Sequence, residues 1–251
     1  LERVFFLGTA NAISSASQEN AHIFFESEKH KILVDCPGNP ISRMAKAGIN
    51  PLEITDLIIT HFHPDHVSGL PLLLMDLWLM GRKTPLNIYG LSSTIDHAEG
   101  LMDVFDWKKW QGFFPVQFNR IEEIENVRLL SADDLQITTS PGKHLIPSIG
   151  LRFEFPLSQK IVVYSSDTEP CPSIQTLANG ATILIHEAAG PGKGHTTPES
   201  CGKIAQQAHV NALYLIHYTK ELSDEELVSE ANRYFEGQVV VCKDLMQITL
   251  G

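Results

Sequence analysis

A chain of 251 residues, 43% apolar and 20% charged, can bury a sizeable core and is expected to fold as a single domain over 1–251. Thirty acidic against 19 basic side chains leave a formal net charge of -11, which disfavours broad affinity for polyanions such as nucleic acid. Cys36, Cys171, Cys201 and Cys242 lie far apart with no C-x-x-C pair, so reduced thiols in a cytoplasmic setting are expected and a disulfide framework is not.

No basic leader opens "LERVFFLG". The strongest apolar run, "GLPLLLMDLWLM" (69–80), is interrupted by Asp76 and falls short of the roughly 20 residues that cross a bilayer, so no membrane partner is expected. In chain order, β-rich runs stand at 3–8, 21–27, 31–36 and 56–61, and the polar turn "ESEKHK" predicts a hairpin between the second and third. Helical patterns follow at 40–49, 70–81 and 92–105, the last with Ser92 or Ser93 as N-cap. A second block has strand-like runs at 127–131, 135–141, 148–155, 160–167, 181–188 and 212–218. Helical stretches accompany it at 173–179, 198–210 and 223–235. Strands in two clusters, each with its own helices, favour two packed sheets with helices outside over one alternating parallel sheet. The apolar stripe at 72–80 reads as a packed helix and not as a ligand groove.

The segment "IITHFHPDHVSG" (58–69) concentrates the chemistry. Side chains alternate in an extended segment, so His61 and His63 are expected on one side at a strand end. Pro64 is expected to stop the strand and let Asp65 and His66 face the same pocket from another direction, so that two ions are served. Imidazole and carboxylate donors suit zinc, with manganese or iron as alternatives, and a two-ion centre takes about six to seven ligands. Further donors that follow β-like runs are His144, Asp167, His186 and His217. His186 directly precedes Glu187, so alternation turns one inward and the other outward, and His186 is left out of the ligand set. His22, His30, His97 and His209 have no partner motif and read as ordinary core or surface residues.

"THFHPDH" followed by "SGLPLLL" resembles the signature of the metallo-β-lactamase fold. "FLGTANAISS", "ILVDCPGN", "GRKTPLNIYG", "KHLIPSIGLRF", "YSSDTEP", "ILIHEAAG", "GHTTPES" and "LYLIHY" resemble its tRNase Z branch, in the same order from residue 5 to 218. The resemblance implies a four-layer αββα sandwich of two mixed β-sheets flanked by helices, a homodimer, and a metal-dependent hydrolase with two divalent ions, zinc first. Carried over by position, it assigns His61, His63 and His144 to one ion, Asp65, His66 and His217 to the other, and Asp167 to both. It implies catalytic roles for Asp65 and for His195 as proton donor to the leaving oxygen, with Asp35 and Glu187 in support.

Two departures bear on substrate. The branch typically inserts a long tRNA-gripping arm between the third histidine and the bridging aspartate, but here that interval is 167 - 144 = 23 residues, two strands and a turn. Ser166 also stands where the branch usually has Gly, and Ala189 and Gly190 where Thr and Phe are common. The latter changes bear on the leaving-group side, while the missing arm, with the acidic balance, favours a small or cyclic phosphodiester as partner over tRNA. A tRNA 3′-end endoribonuclease and an ester, lactone or thioester hydrolase of the same fold are the alternatives.

Overall fold

The computed structural model describes residues 1–251. Strands β1 (Arg3–Gly8), β2 (His22–Glu26), β3 (Lys31–Val34), β4 (Asp56–Ile58), β5 (Leu86–Leu91) and β6 (Val116–Ile121) lie side by side in chain order. Strands β7 (Val127–Ser131), β8 (Gln136–Pro141), β9 (Ile149–Phe155), β10 (Lys160–Tyr164), β11 (Ile183–Glu187), β12 (Ala212–Ile216) and β13 (Gln238–Val241) make a second sheet, also in chain order. The last strand, β14 (Met246–Thr249), returns to pair antiparallel with β1, giving two seven-stranded sheets. Each sheet is antiparallel over its first three pairings and parallel over the last three, so the halves repeat one topology that the sequence does not display.

Period-two alternation sorts each strand between two apolar layers. In β1, Val4 and Phe6 join the layer between the sheets, while Phe5 and Leu7 face the helices outside. The central layer joins Phe25 of β2 to Phe153 of β9, whose rings stack at 3.8 Å. Helices α1 (Pro40–Lys46), α2 (Pro64–Val67), α3 (Leu70–Leu79) and α4 (Ser92–Val104) belong to the first half. In α3, Leu70, Leu73, Leu74 and Leu77 pack on the sheet, as the stripe predicts. Helices α5 (Pro172–Ala178), α6 (Pro198–Gln207) and α7 (Asp224–Ala231) cover the second sheet through a third apolar layer. The expected αββα sandwich is therefore present. No helix is long and apolar enough to cross a membrane.

Local chemistry sets the boundaries. Thr197 caps α6 by accepting from the Ser200 N–H, and Ser223 with Glu226 forms a reciprocal capping box on α7. The expected serine cap of α4 is not found: Leu91 holds the cap position, without a side-chain bond, and Ser92 is already helical.

Candidate metal centre

The candidate ligands follow strand ends at one rim of the sandwich, and both sheets contribute. Strand β4 stops at Ile58, short of the expected run over 56–61, so His61 and His63 lie beyond its end. Pro64 does more than end the strand: it opens α2 at a first-turn position, where its missing N–H costs nothing, and so places Asp65 and His66 in that turn. The 35–38 loop clamps this helix, since the Cys36 N–H donates to the His66 carbonyl and the Gly69 N–H donates to the Cys36 carbonyl. Gly69 fits there because a Cβ would lie 2.5 Å from the Cys36 oxygen.

The predicted ligands converge in two groups sharing one acid. His61 Nε2 and His144 Nε2 each lie 3.1 Å from His63 Nδ1. His66 Nε2 is 3.5 Å from Asp65 Oδ2 and 3.6 Å from Asp167 Oδ1. His217 Nε2 is 3.5 Å from Asp65 Oδ2 and 3.4 Å from Asp167 Oδ2. The same Asp167 oxygen lies 3.9 Å from both His61 Nε2 and His144 Nε2. Two ligand atoms about 2.1 Å from one tetrahedral zinc would be roughly 3.4 Å apart, which is the spacing of this set.

Proton inventory supports the same fit. His144 Nδ1 donates to the Gly194 carbonyl at 2.7 Å, so its Nε2 carries a lone pair. The Thr60 hydroxyl donates to Asp35, which leaves its oxygen to accept from His61 Nδ1 at 3.1 Å and frees His61 Nε2 as a second lone pair. Both lone pairs face His63 Nδ1, which has at most one proton to offer. His66 Nε2 and Asp167 Oδ1 are buried and have no hydrogen-bond partner. A divalent cation satisfies what the protein leaves open.

Electrostatics prepares the donors. Burial holds the His61, His63 and His144 imidazoles below the usual histidine range, in the neutral form that ligates. Burial pushes the Asp167 carboxyl up, but His217, His66 and His61 more than reverse this and hold it well below the usual carboxylate range. Asp35 is fully buried and accepts from His66 Nδ1 at 2.8 Å and from the Thr60 N–H at 2.8 Å. One carboxylate thus orients His66 directly and His61 through Thr60.

His195 sits at the open side, its ring stacked 5.7 Å from that of His217, with Nδ1 3.2 Å from Glu187 Oε1. The Glu187 partnership raises the His195 pKa above the usual value, against the opposing effect of burial. Glu187 is fully buried and also accepts the N–H groups of Thr196 at 2.9 Å and Ala189 at 2.8 Å, tying the 189–196 loop to β11. His186 points away into the interior, its Nδ1 on the Glu187 carbonyl, and belongs to no ligand group. Sequence reasoning overlooked Thr60 and the Gly194 carbonyl, neither of which carries a motif of its own.

Relatives share this frame along nearly the whole chain. A ribonuclease Z of Methanothermobacter thermautotrophicus is 26% identical over 300 aligned positions, covering 98% of this chain and 95% of the relative. That is 300 - 251 = 49 positions more than this chain has residues, so the relative is the longer within the aligned region. Among solved structures, the metallo-β-lactamase fold protein YhfI of Bacillus subtilis superposes with a TM-score of 0.83 at 21% identity, covering 98% of both chains. The short form of human tRNase Z gives 0.82 at 22%, covering 99% of both. The chain is thus a metal-dependent hydrolase of the ribonuclease Z-like metallo-β-lactamase fold. Within that fold, residues 2–240 match the family described as "Anti-Pycsar protein Apyc1", and to this family the chain belongs.

Proposed function

We propose that the protein is a dinuclear phosphodiesterase acting on small or cyclic phosphodiesters. On this reading His61, His63 and His144 hold one zinc ion, Asp65, His66 and His217 the other, and Asp167 both. When bound, such ions supply Lewis acidity toward a phosphoryl oxygen and lower the pKa of water. The carrying observation is the spacing of two donor groups around Asp167, with unpartnered buried atoms between them.

The chain's own residues complete the reaction. Asp65 is held below the usual carboxylate range by His217 and His66 despite partial burial, so its ionised carboxylate is available to accept the proton of the attacking water. His195, with Nδ1 on Glu187, presents Nε2 to the leaving oxygen and delivers its proton there. Small substrates are favoured because β9 and β10 fill the interval between His144 and Asp167, leaving no arm to grip an RNA, and because the chain is strongly acidic.

The test is metal analysis coupled to a substrate panel of cyclic and linear small phosphodiesters, a tRNA precursor, lactones and thioesters. Two ions per chain and turnover confined to the small diesters are expected. Efficient site-specific cutting of the tRNA precursor, or turnover of lactones or thioesters alone, overturns the reading.

A further inference from the structure

Among the candidate ligand imidazoles, His61, His66 and His144 each rest a second ring nitrogen on a partner: Thr60, Asp35 and the Gly194 carbonyl. His217 does not. Its Nε2 faces Asp65 and Asp167, but its Nδ1 is buried with no hydrogen-bond partner, so no side chain fixes this ring from behind. Its direction is set instead through its backbone, which stands in the left-handed region at φ 54° and donates its N–H to the Thr9 carbonyl at 2.9 Å.

Thr9, just past β1, is fully buried, and its hydroxyl donates to Asp244 Oδ1 at 2.8 Å. The other Asp244 oxygen accepts from the Glu19 N–H at 2.9 Å and from Arg43 Nη2 at 2.7 Å. The Glu19 carbonyl in turn accepts the N–H groups of Thr9 and Ala10, and Arg43 Nε donates to the Leu7 carbonyl at 2.7 Å. One carboxylate between β13 and β14 thus gathers the end of β1, the 18–20 segment and α1 around the peptide that carries His217. Its bond to Arg43 is charge-assisted, and the side chains of the pair are only 13% exposed. Leu245, directly after Asp244, holds φ of 65°, a region leucine rarely enters, although its side chain is exposed and its own packing does not demand this. The same turn also holds the residue after His217, since the Tyr218 hydroxyl donates to the Cys242 carbonyl at 2.8 Å. Asp244 lies past residue 240, where the family match ends.

We infer that Asp244 is a positioning residue of the metal centre: through Thr9 it aims His217 at the ion site shared with Asp65 and His66. This rests on the two-ion reading above, and its test separates the two. The zinc-loaded chain is titrated with a competing chelator, and the release of each ion is compared among wild type, Asp244→Ala, Thr9→Val and Thr9→Ser. Thr9→Val keeps the volume and the β-branch and deletes only the hydroxyl, so it remains informative should Asp244→Ala fail to fold. In Asp244→Ala and Thr9→Val the affinity for one ion is expected to fall about tenfold, with the other ion unchanged and Thr9→Ser restoring the wild-type value. Equal weakening of both ions, or of neither, overturns the assignment while leaving the two-ion reading intact. Should the wild type hold fewer than two ions, that reading falls, and amide exchange in the metal-free chain decides the link. Exchange of the His217 N–H accelerated about tenfold in the variants, with the His66 N–H unchanged, supports it; unaltered His217 exchange, or equal acceleration at both amides, overturns it.

Discussion

Asp35 adopts a left-handed backbone conformation, with φ at 61°, at the end of β3. Aspartate tolerates that region better than most residues, and the resulting turn aims both carboxylate oxygens at the Thr60 and His66 donors. Asp35→Ala leaves two ligand imidazoles without their orienting partner, and metal affinity is expected to fall about 10- to 100-fold, read by equilibrium dialysis. Retention of wild-type affinity would remove Asp35 from the centre. Ser166, next to Asp167, has φ of 52°, where a Cβ costs about 1 to 2 kcal/mol. Ser166→Gly relieves that at some cost in unfolded-state entropy, so a net gain of about 0.5 to 1 kcal/mol is expected in thermal or denaturant unfolding. His195 must be protonated to serve as a donor, so activity is retained below its pKa and declines above it. Glu187 raises that pKa, and Glu187→Gln therefore moves the alkaline limb of the kcat profile to lower pH. An unmoved or upward-shifted limb in that profile would refute the donor assignment.

At the scale of elements, the β2–β3 hairpin is fastened by a residue from the far half of the chain. Asp134 accepts from the Ser27 hydroxyl at 2.7 Å, the Lys29 N–H at 2.7 Å and His30 Nδ1 at 3.0 Å. Despite the opposing effect of burial, these bonds pull its pKa down to about 2. A depressed carboxylate pKa stabilises the fold above the unfolded value near 4, and that contribution disappears as pH falls through about 2. Discounted for solvent contact, Asp134→Asn should cost about 1 to 2 kcal/mol at neutral pH and nothing near pH 2, checked by urea unfolding at both. "ESEKHK" made the hairpin legible, but its fastener lies more than a hundred residues away, beyond the reach of local pattern. Strands divided along similar lines. Doubly buried runs such as those of β2 and β11 stand out in sequence, whereas the half-exposed edge strands β6, β13 and β14 carry weak alternation and were not anticipated. Legibility of the site follows the same physics. His61, His63, Asp65 and His66 are neighbours in sequence and announce themselves, while His144, Asp167 and His217 stood out only as donors after β-like runs, and the family resemblance assigned them to the centre. Thr60 and the Gly194 carbonyl enter the site through tertiary proximity alone.

For the whole molecule, the consequential feature is that the donor set straddles the two sheets. His61, His63, Asp65 and His66 come from the half built on the first sheet, and His144, Asp167 and His217 from loops of the second. The central apolar layer joins the sheets across their breadth, but at this rim the join consists of polar groups, helped by the His217 N–H donating to the Thr9 carbonyl at 2.9 Å. Bound ions would therefore fasten one half of the sandwich to the other as well as serve the chemistry. Ions held at 100 to 1,000 times their dissociation constant stabilise the native state by roughly 3 to 4 kcal/mol per site. In a chain of this size that is on the order of 10 °C in Tm per ion, or about 20 °C for the pair. Chelation should lower Tm by about that amount and raise amide exchange at the ends of β4, β10 and β12, with little change inside the helices. Asp167→Asn, which keeps the volume but removes the shared charge, should bind fewer ions and show a smaller chelator response. If chelation leaves both Tm and the exchange at those strand ends unaltered, the halves are held by the apolar layer alone and the cross-sheet role of the site is wrong.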